Sequence, residues 1–306
     1  MLQIIAKRNL YFIISLLFIV PGVISLLLYG LQLSIEFTGG GRMTLQFPQK
    51  VEQRTIEQIR STLEDEKIEV GTIQASDATA IIRTGTLTQE QNKTIISTLR
   101  EEVGEFEQES FETIGPTIGQ ETTSKAFYSL LIASVLIVIY IAFSFRKVPK
   151  PASSWKFGII AIVAVLHDVL LVVGLFSLLG HYYHVEIDSL FITALLTIIG
   201  FSVHDTIVVF DRIRENLLRV GGISFAENAN LSIVQTITRS LNTSFTALLV
   251  LLTLLLFGGE SVRWFTVALL VGVASGTYSS IFNAAPLLVV WHEWDEKRKK
   301  KKLSSK

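Results

Sequence analysis

Long apolar runs separated by polar segments dominate the pattern of this 306-residue chain. A helix needs about 20 apolar residues to cross roughly 30 Å of hydrocarbon, and six runs reach or approach that length. The pattern therefore predicts a polytopic α-helical membrane protein with six transmembrane helices. The predicted spans cover residues 10–31, 126–145, 157–179, 189–210, 241–257 and 264–291.

The polar segment between the first two spans, residues 32–125, has a different pattern. Val51, Ile56, Ile59 and Leu63 have the spacing of a helix, a second helical pattern follows, and four short runs have strand character. The order βαββαβ is typical of a ferredoxin-like fold. We therefore predict one α+β ferredoxin-like domain inserted between helices 1 and 2.

The formal net charge is zero, but basic residues are sorted along the chain. If residues 1–9 are cytoplasmic, most basic residues outside the insert also fall on the cytoplasmic side, as the positive-inside rule expects. This predicts cytoplasmic N- and C-termini and an extracytoplasmic insert. The first run has no cleavage site and is expected to remain as an anchor. The basic tail, 292–306, could bind anionic lipid, the ribosome or a partner, but we favour a topology-setting charge run.

Several kinds of chemistry have no support in the sequence. The chain has no cysteine, which excludes thiol chemistry. The insert has neither His nor Cys, and its carboxylates are scattered, so we predict no enzyme activity and no cofactor. Gly39, Gly40 and Gly41 lack the following helix start and Lys-Ser/Thr of a phosphate loop. We interpret them, with Gly115 and Pro116 at the other end of the insert, as hinges.

Ionisable residues inside the spans are the candidates for function. Asp168 lies at the centre of the third span beside His167, and Asp205 lies beside His204 in the fourth. An ionised carboxylate at mid-bilayer costs at least about 2.5 kcal/mol, so such a group usually faces a bundle interior or a water-filled cavity. The fifth span opens with further polar residues at a similar depth, which are Arg239, Asn242 and Thr243.

Two interpretations of this cluster remain open. Asp205 near Arg239 would form a permanent salt bridge, or it would take up and release a proton as its surroundings change. Two acids and two histidines on adjacent spans favour a proton relay. A metal site is the weaker alternative, because neighbouring residues on a helix point about 100° apart and each pair supplies one good ligand more easily than two. We predict no metal.

Small residues recur every four positions in the sixth span, at Gly272, Gly276 and Ser280. Such a stripe lets helices approach closely, so it predicts packing against another span or another subunit.

These motifs resemble those of the SecF family, whose members are the smaller partners of SecD in the bacterial preprotein translocase. The resemblance covers nearly the whole chain and rests on "IEFTGGGRM", "IGPTIGQE", "LHDVLLVVG", "GFSVHDTIVVFDRIRENL" and "TRSLNTSFT". Glu36 stands where the family often has Asp, and His204 stands where it often has Asn. The added histidine leaves open whether the coupled ion is a proton or sodium.

The resemblance implies a member of the resistance-nodulation-division superfamily in the bacterial inner membrane, driven by the proton motive force. The family's functional carboxylate falls on Asp205, its fifth-span arginine on Arg239, and its third-span pair on His167 and Asp168. The insert would move as the relay changes state, so that an emerging preprotein is pulled or kept from sliding back.

The implied partners are SecD, the SecY/SecE/SecG channel, YajC-type and YidC-type subunits, the preprotein and membrane lipids, without nucleic acid. Two other functions stay open. The chain could be half of a proton-coupled transporter for small molecules or ions, or a scaffold of the translocase that transduces no energy.

Overall fold

Six helices of this computed structural model are long and apolar enough to cross a membrane, among residues 3–146, 153–219 and 222–304, which the structure describes. The predicted number of spans is confirmed. The ends of the two predicted cytoplasmic termini, residues 1–2 and 305–306, lie outside the described residues. The helices are α1 (Arg8–Tyr29), α5 (Pro116–Ser144), α6 (Ser154–Tyr183), α7 (Ser189–Arg219), α8 (Phe225–Phe257) and α9 (Glu260–Ser279), which continues through a π-helical turn (Ser280–Ala284) into α10 (Ala285–Ser304).

Most of these helices are longer than the apolar runs that predicted them. Helix α8 begins at Phe225 because Ser224 and Glu227 form a capping box, in which each side chain accepts a hydrogen bond from the other residue's backbone N–H. The last helix continues through the basic tail to Ser304, where the sequence predicted only a charged segment. Hydropathy marks the part of a helix that hydrocarbon can surround, and the polar ends continue beyond it.

The membrane unit comprises Met1–Gln32 and Tyr128–Lys306. Its inner helices are α6, α7 and the continuous helix α9–α10, whereas α1, α5 and α8 expose most of their apolar side chains. Two apolar clusters fill the interior, one around Phe157 and Phe210 and the other around Phe176 and Ile198. Buried polar residues of α6, α7 and α9, among them Asp168, Asp205 and Ser279, form a polar layer near the middle of the unit, where the two clusters meet.

The second unit, Leu33–Phe127, contains a four-stranded antiparallel sheet and its own apolar core. A short helix, α2 (Ile35–Thr38), precedes the sheet. Met43, Leu45, Leu63 and Leu99 are fully buried in the core. The remaining elements of the unit are β1 (Gly40–Gln46), α3 (Gln53–Asp65), β2 (Val70–Ser76), β3 (Thr79–Thr84), α4 (Gln89–Val103) and β4 (Glu107–Ile114). In the sheet the strands have the order β2-β3-β1-β4.

The glycines expected to act as a hinge begin the first strand. Gly39 and Gly40 have φ of 74° and 114°, which L side chains rarely adopt. A Cβ on Gly39 would lie 3.0 Å from the Cα of Pro116, and Gly41 pairs with β3 and β4. These glycines therefore allow close backbone packing at the edge of this unit, and their role as a hinge stays a prediction.

Candidate functional site

Asp168 is the most completely enclosed carboxylate of the polar layer, with none of its surface exposed. Ser202 and Ser279 donate hydrogen bonds of 2.6 and 2.7 Å to Oδ2, and Ser275 donates one of 2.6 Å to Oδ1. The Nδ1 atom of His167 lies 3.0 Å from Oδ1. Four short contacts from three helices therefore use the four acceptor positions of one carboxylate.

His167 extends this network toward α1. Its Nε2 lies 3.0 Å from Oγ of Ser15 and 3.1 Å from Nδ2 of Asn283, which also donates to Ser15 at 2.7 Å. An ionised Asp168 would only accept, so it would require the proton on Nδ1, and a neutral ring would then accept at Nε2. Oδ1 of Asn283 is buried with no hydrogen-bond partner among the described residues. If the side-chain amide of Asn283 rotated by 180°, its Oδ1 would face Nε2 of His167 and could accept a hydrogen bond from a protonated imidazole.

Asp205 is also buried, at 2% exposure, but its hydrogen bonds are longer. Ser244 of α8 and Thr277 of α9 donate to its Oδ2 at 3.5 and 3.4 Å, and these two hydroxyl oxygens lie 2.5 Å apart. Hydroxyl donors normally approach to about 2.7 Å. Asp205 is therefore held more weakly than Asp168, and a carboxylate with weak donors can bind and release a proton with little rearrangement.

His204 and Arg239 lie outside this cluster. The side chain of His204 is exposed, because it points about 100° away from Asp205 on α7. Arg239 is also exposed, and within residues 3–146, 153–219 and 222–304 it is not among the groups that interact with Asp205. The predicted approach of these two charges is therefore absent from the structure. Arg239 instead borders a surface cleft of about 470 Å³ together with Asp211 and Glu215.

The other polar residues predicted for the fifth span share the exposed side of α8. Asn242 and Thr243 are both exposed, and the Thr243 hydroxyl donates to the carbonyl oxygen of Arg239 at 3.0 Å. One face of α8 thus presents an arginine, an amide and a hydroxyl to the surroundings of the chain, although much of this helix is apolar.

The small-residue stripe of the sixth span lies against α7. Gly272 faces Ile198, and a Cβ on Gly276 would lie 3.2 Å from Cα of Ser202 and 3.5 Å from Oδ2 of Asp168. Ser280 donates to the carbonyl oxygen of Ser202 at 3.2 Å. The stripe brings α9 close enough for its hydroxyls to reach the carboxylates.

Sequence reasoning missed most of the groups that surround the two acids. Single hydroxyls in apolar runs give no periodic signal, and only the fold shows which of them meet. A group of three His, Cys, Asp or Glu side chains that could hold a metal ion is absent from the described part of the chain. The missed residues are Ser15, Ser202, Thr206, Ser244, Ser275, Thr277, Ser279 and Asn283.

Comparison with known proteins shows the family to which this chain belongs. The family model described as "Protein export membrane protein SecD/SecF, C-terminal" matches residues 94–294. The chain belongs to the SecD/SecF family. Among its relatives, protein translocase subunit SecF of Thermobaculum terrenum is 45% identical over 96% of this chain and 95% of that protein. SecF of Sebaldella termitidis is 34% identical over 100% of this chain and 96% of that protein.

Solved structures of the SecD/SecF family agree with the fold. The crystal structure of SecDF, a translocon-associated membrane protein from a Thermus species, matches with a TM-score of 0.80 and 34% identity. The match covers 95% of this chain and 39% of that one. Bacillus subtilis SecDF is 36% identical over 94% of this chain and 37% of its own length. The chain thus corresponds to less than half of the fused SecDF proteins.

Proposed function

We propose that this chain is the SecF-type subunit of a bacterial protein translocase, paired with SecD in the inner membrane and driven by the proton motive force. Membership of the family supports the assignment to protein export. The observation that supports energy coupling is the buried Asp205 on a membrane-spanning helix with only long hydrogen bonds. Such a carboxylate can change protonation state and thereby change helix packing.

The exposed polar face of α8 supports pairing with a second membrane protein. Arg239 and Asn242 are exposed on a helix whose length and hydropathy suit a membrane span. A charged side chain facing lipid is costly, so we infer that a SecD chain covers this face and supplies the polar partner of Arg239. Fused SecDF relatives, in which both parts share one chain, fit this assignment.

The insert and the orientation belong to the same proposal. We assign the unit Leu33–Phe127 to the ferredoxin-like fold, because its elements run βαββαβ and its strands are ordered β2-β3-β1-β4. The sorting of basic residues supports cytoplasmic termini and an extracytoplasmic insert. There the insert would contact the emerging preprotein, while SecY/SecE/SecG and YajC-type and YidC-type subunits would be further partners. Work is done by conformational change, with no enzymatic reaction.

The test is preprotein export into inverted membrane vesicles with and without a proton gradient. Asp205→Asn should abolish most of the gradient-dependent stimulation, because an amide cannot exchange the proton. Asp211→Asn makes the same chemical change on the same helix at an exposed position, and it should keep the stimulation. Both variants should co-purify with SecD.

Two outcomes would contradict parts of the proposal. Full stimulation in Asp205→Asn vesicles would show that this carboxylate transduces no energy, as a scaffold role requires. Normal export in Asp205→Asn vesicles, together with loss of proton-driven transport of a small molecule or ion in that variant but not in Asp211→Asn, would favour the transporter alternative.

A further inference from the structure

A groove on the outer side of the membrane unit lies between α6 and α10. Its volume is about 480 Å³. Val163, Val290 and Trp294 are 44%, 36% and 55% exposed, so the groove opens outward. All of the lining side chains are apolar, apart from the indole N–H groups of two tryptophans. They are Ile160, Val163, Leu287, Val290, Trp291 and Trp294.

An ion pair fixes the two walls of this groove at one end. Lys156, which is one turn before Ile160 on α6, is bonded to Asp295 of α10. Its Nζ also lies 5.9 and 5.8 Å from the ring centres of Trp155 and Trp291, and these two rings meet edge to face at 5.0 Å. The ion pair and the aromatic contacts fix the position of α6 relative to α10, so the groove between them is a defined part of the fold.

The α10 wall changes from apolar to basic along a single helix face. Leu287, Val290, Trp291 and Trp294 are three or four residues apart, which places them on one side of the helix. Lys297 and Arg298 lie within about 60° of Trp294 around the same axis, whereas Lys299 and Lys300 lie about 120–140° away. The guanidinium of Arg298 stands 5.0 Å from the ring centre of Trp294. The groove therefore ends directly beneath a basic patch.

We propose that this groove binds one anionic phospholipid, with an acyl chain along the apolar wall and the phosphate beside Lys297 and Arg298. Tryptophan is the residue that membrane proteins place at the level of lipid headgroups, which suits Trp291 and Trp294 at this position. Basic side chains at that level attract anionic headgroups. The apolar stretch from Leu287 to Trp294 spans about 10 Å of helix, which is long enough to hold part of an acyl chain.

The charge complementarity distinguishes this occupant from a protein segment. A partner helix would need apolar side chains followed by acidic ones at the correct spacing. An anionic phospholipid has this arrangement in every molecule, and hydrocarbon surrounds a membrane-spanning helix on its exposed sides. Asp295 is bonded to Lys156, and both carboxylate oxygens of Glu293 are bonded to Arg8, although Glu293 also attracts Lys297 one turn further along α10. In the described part of the chain neither acid is bonded to Arg298.

The full chain in lipid nanodiscs allows a direct test by tryptophan fluorescence. Three of the four tryptophans lie at the groove, and Trp264→Phe removes the remote one. Phosphatidylglycerol with brominated acyl chains should quench this fluorescence at a lower mole fraction than brominated phosphatidylcholine. The double variant Lys297→Gln/Arg298→Gln should lower the apparent affinity for phosphatidylglycerol roughly tenfold or more.

The matched control is Lys299→Gln/Lys300→Gln, which removes the same charge from the opposite face and should leave the affinity nearly unchanged. An equal loss in both double variants would overturn the proposal in favour of a general attraction of the tail to the membrane. Equal quenching by both lipids would also overturn it, because any surrounding lipid would then suffice. Absence of quenching by either lipid would show that protein covers the groove. All four substituted residues are exposed, so the variants should fold.

Discussion

Asp168 and Asp205 are both buried carboxylates, yet they are bound in different ways. Asp168 has contacts of 2.6, 2.6, 2.7 and 3.0 Å on its two oxygens, whereas Asp205 has hydrogen bonds of 3.4 and 3.5 Å to one oxygen. Hydrogen bonds near 2.7 Å hold a carboxylate more firmly than bonds of 3.4 Å or more. Asp168 therefore ties together three helices, whereas Asp205, which the proposed function makes the proton-exchanging group, is held by fewer and longer hydrogen bonds.

The first prediction at the residue scale concerns Asp168→Asn. The amide nitrogen would face hydroxyl donors instead of accepting from them, so a buried polar mismatch replaces two or more good hydrogen bonds. We expect the free energy of unfolding of the membrane unit to fall by about 1–3 kcal/mol. The measurement is thermal unfolding of the purified chain in detergent. Asp211→Asn, at an exposed ion pair, should cost less than about 1 kcal/mol. Equal losses in the two variants would refute the ordering role.

The sequence located the two acids but could not show their surroundings. The depth of each acid in its span follows from counting residues. Because a charge inside a membrane span is costly, each acid can be recognised from the sequence as a candidate functional residue. Which neighbour points inward could not be predicted, because His204 and Asp205 differ by about 100° and the packing of α7 decides between them. The pairing of Asp205 with Arg239 seemed reasonable from depth alone, but the arginine lies on the exposed face of α8.

At the scale of elements, the crossing of α1 and α6 depends on small residues. A Cβ on Gly22 would lie 2.9 Å from Cα of Gly174, and a Cβ on Gly174 would lie 2.7 Å from Cα of Gly22. Beside this crossing the hydroxyls of Ser25 and Ser177 lie 2.8 Å apart. The only residues that α1 buries are Ser15, Gly22 and Ser25, so among the described residues its small and polar side faces the protein. This is the usual arrangement for close helix packing in membranes.

Gly174→Ala is the prediction that follows from this crossing. The new methyl group would overlap the backbone of α1, so the two helices must separate and lose their serine contact. We expect a cost of about 1–3 kcal/mol in the free energy of unfolding. Gly200→Ala on α7 is the matched control, because its added Cβ meets nothing within 4 Å and alanine favours helix by about 0.5–1 kcal/mol. The measurement is the free energy of unfolding of each variant, from denaturation in detergent. An unchanged free energy in Gly174→Ala would contradict the close crossing of α1 and α6.

At this scale, features that depend on residues close together in the sequence can be predicted, whereas contacts between distant residues cannot. The stripe Gly272, Gly276 and Ser280 is local and repeats, so it can be recognised in the sequence. Gly22 and Gly174 are single glycines in different spans, and only the packed structure brings them together. The six spans and the alternation in the insert are likewise local patterns, whereas the order of the strands depends on long-range pairing.

The whole molecule contains two units with separate apolar cores. Leu99→Ala empties a fully buried position in the insert and should lower the stability of that unit by about 2–5 kcal/mol. Hydrogen exchange of the intact chain should show faster exchange in the four strands and unchanged exchange in α6, α7 and α9. Leu33→Ala, at a position 37% exposed, is the control and should change little. Faster exchange in both units would show that they unfold together.

The π-helical turn Ser280–Ala284 divides the last helix into two halves whose side-chain faces are offset from one another. A π turn holds an extra residue, so the faces before and after it are offset relative to a continuous α-helix. Before the turn, Ser275 and Ser279 donate to Asp168 of α6, and after it Asp295 is bonded to Lys156 of the same helix. One helix therefore makes two different polar contacts with the same neighbour, because the offset at the turn rotates its later faces relative to its earlier ones.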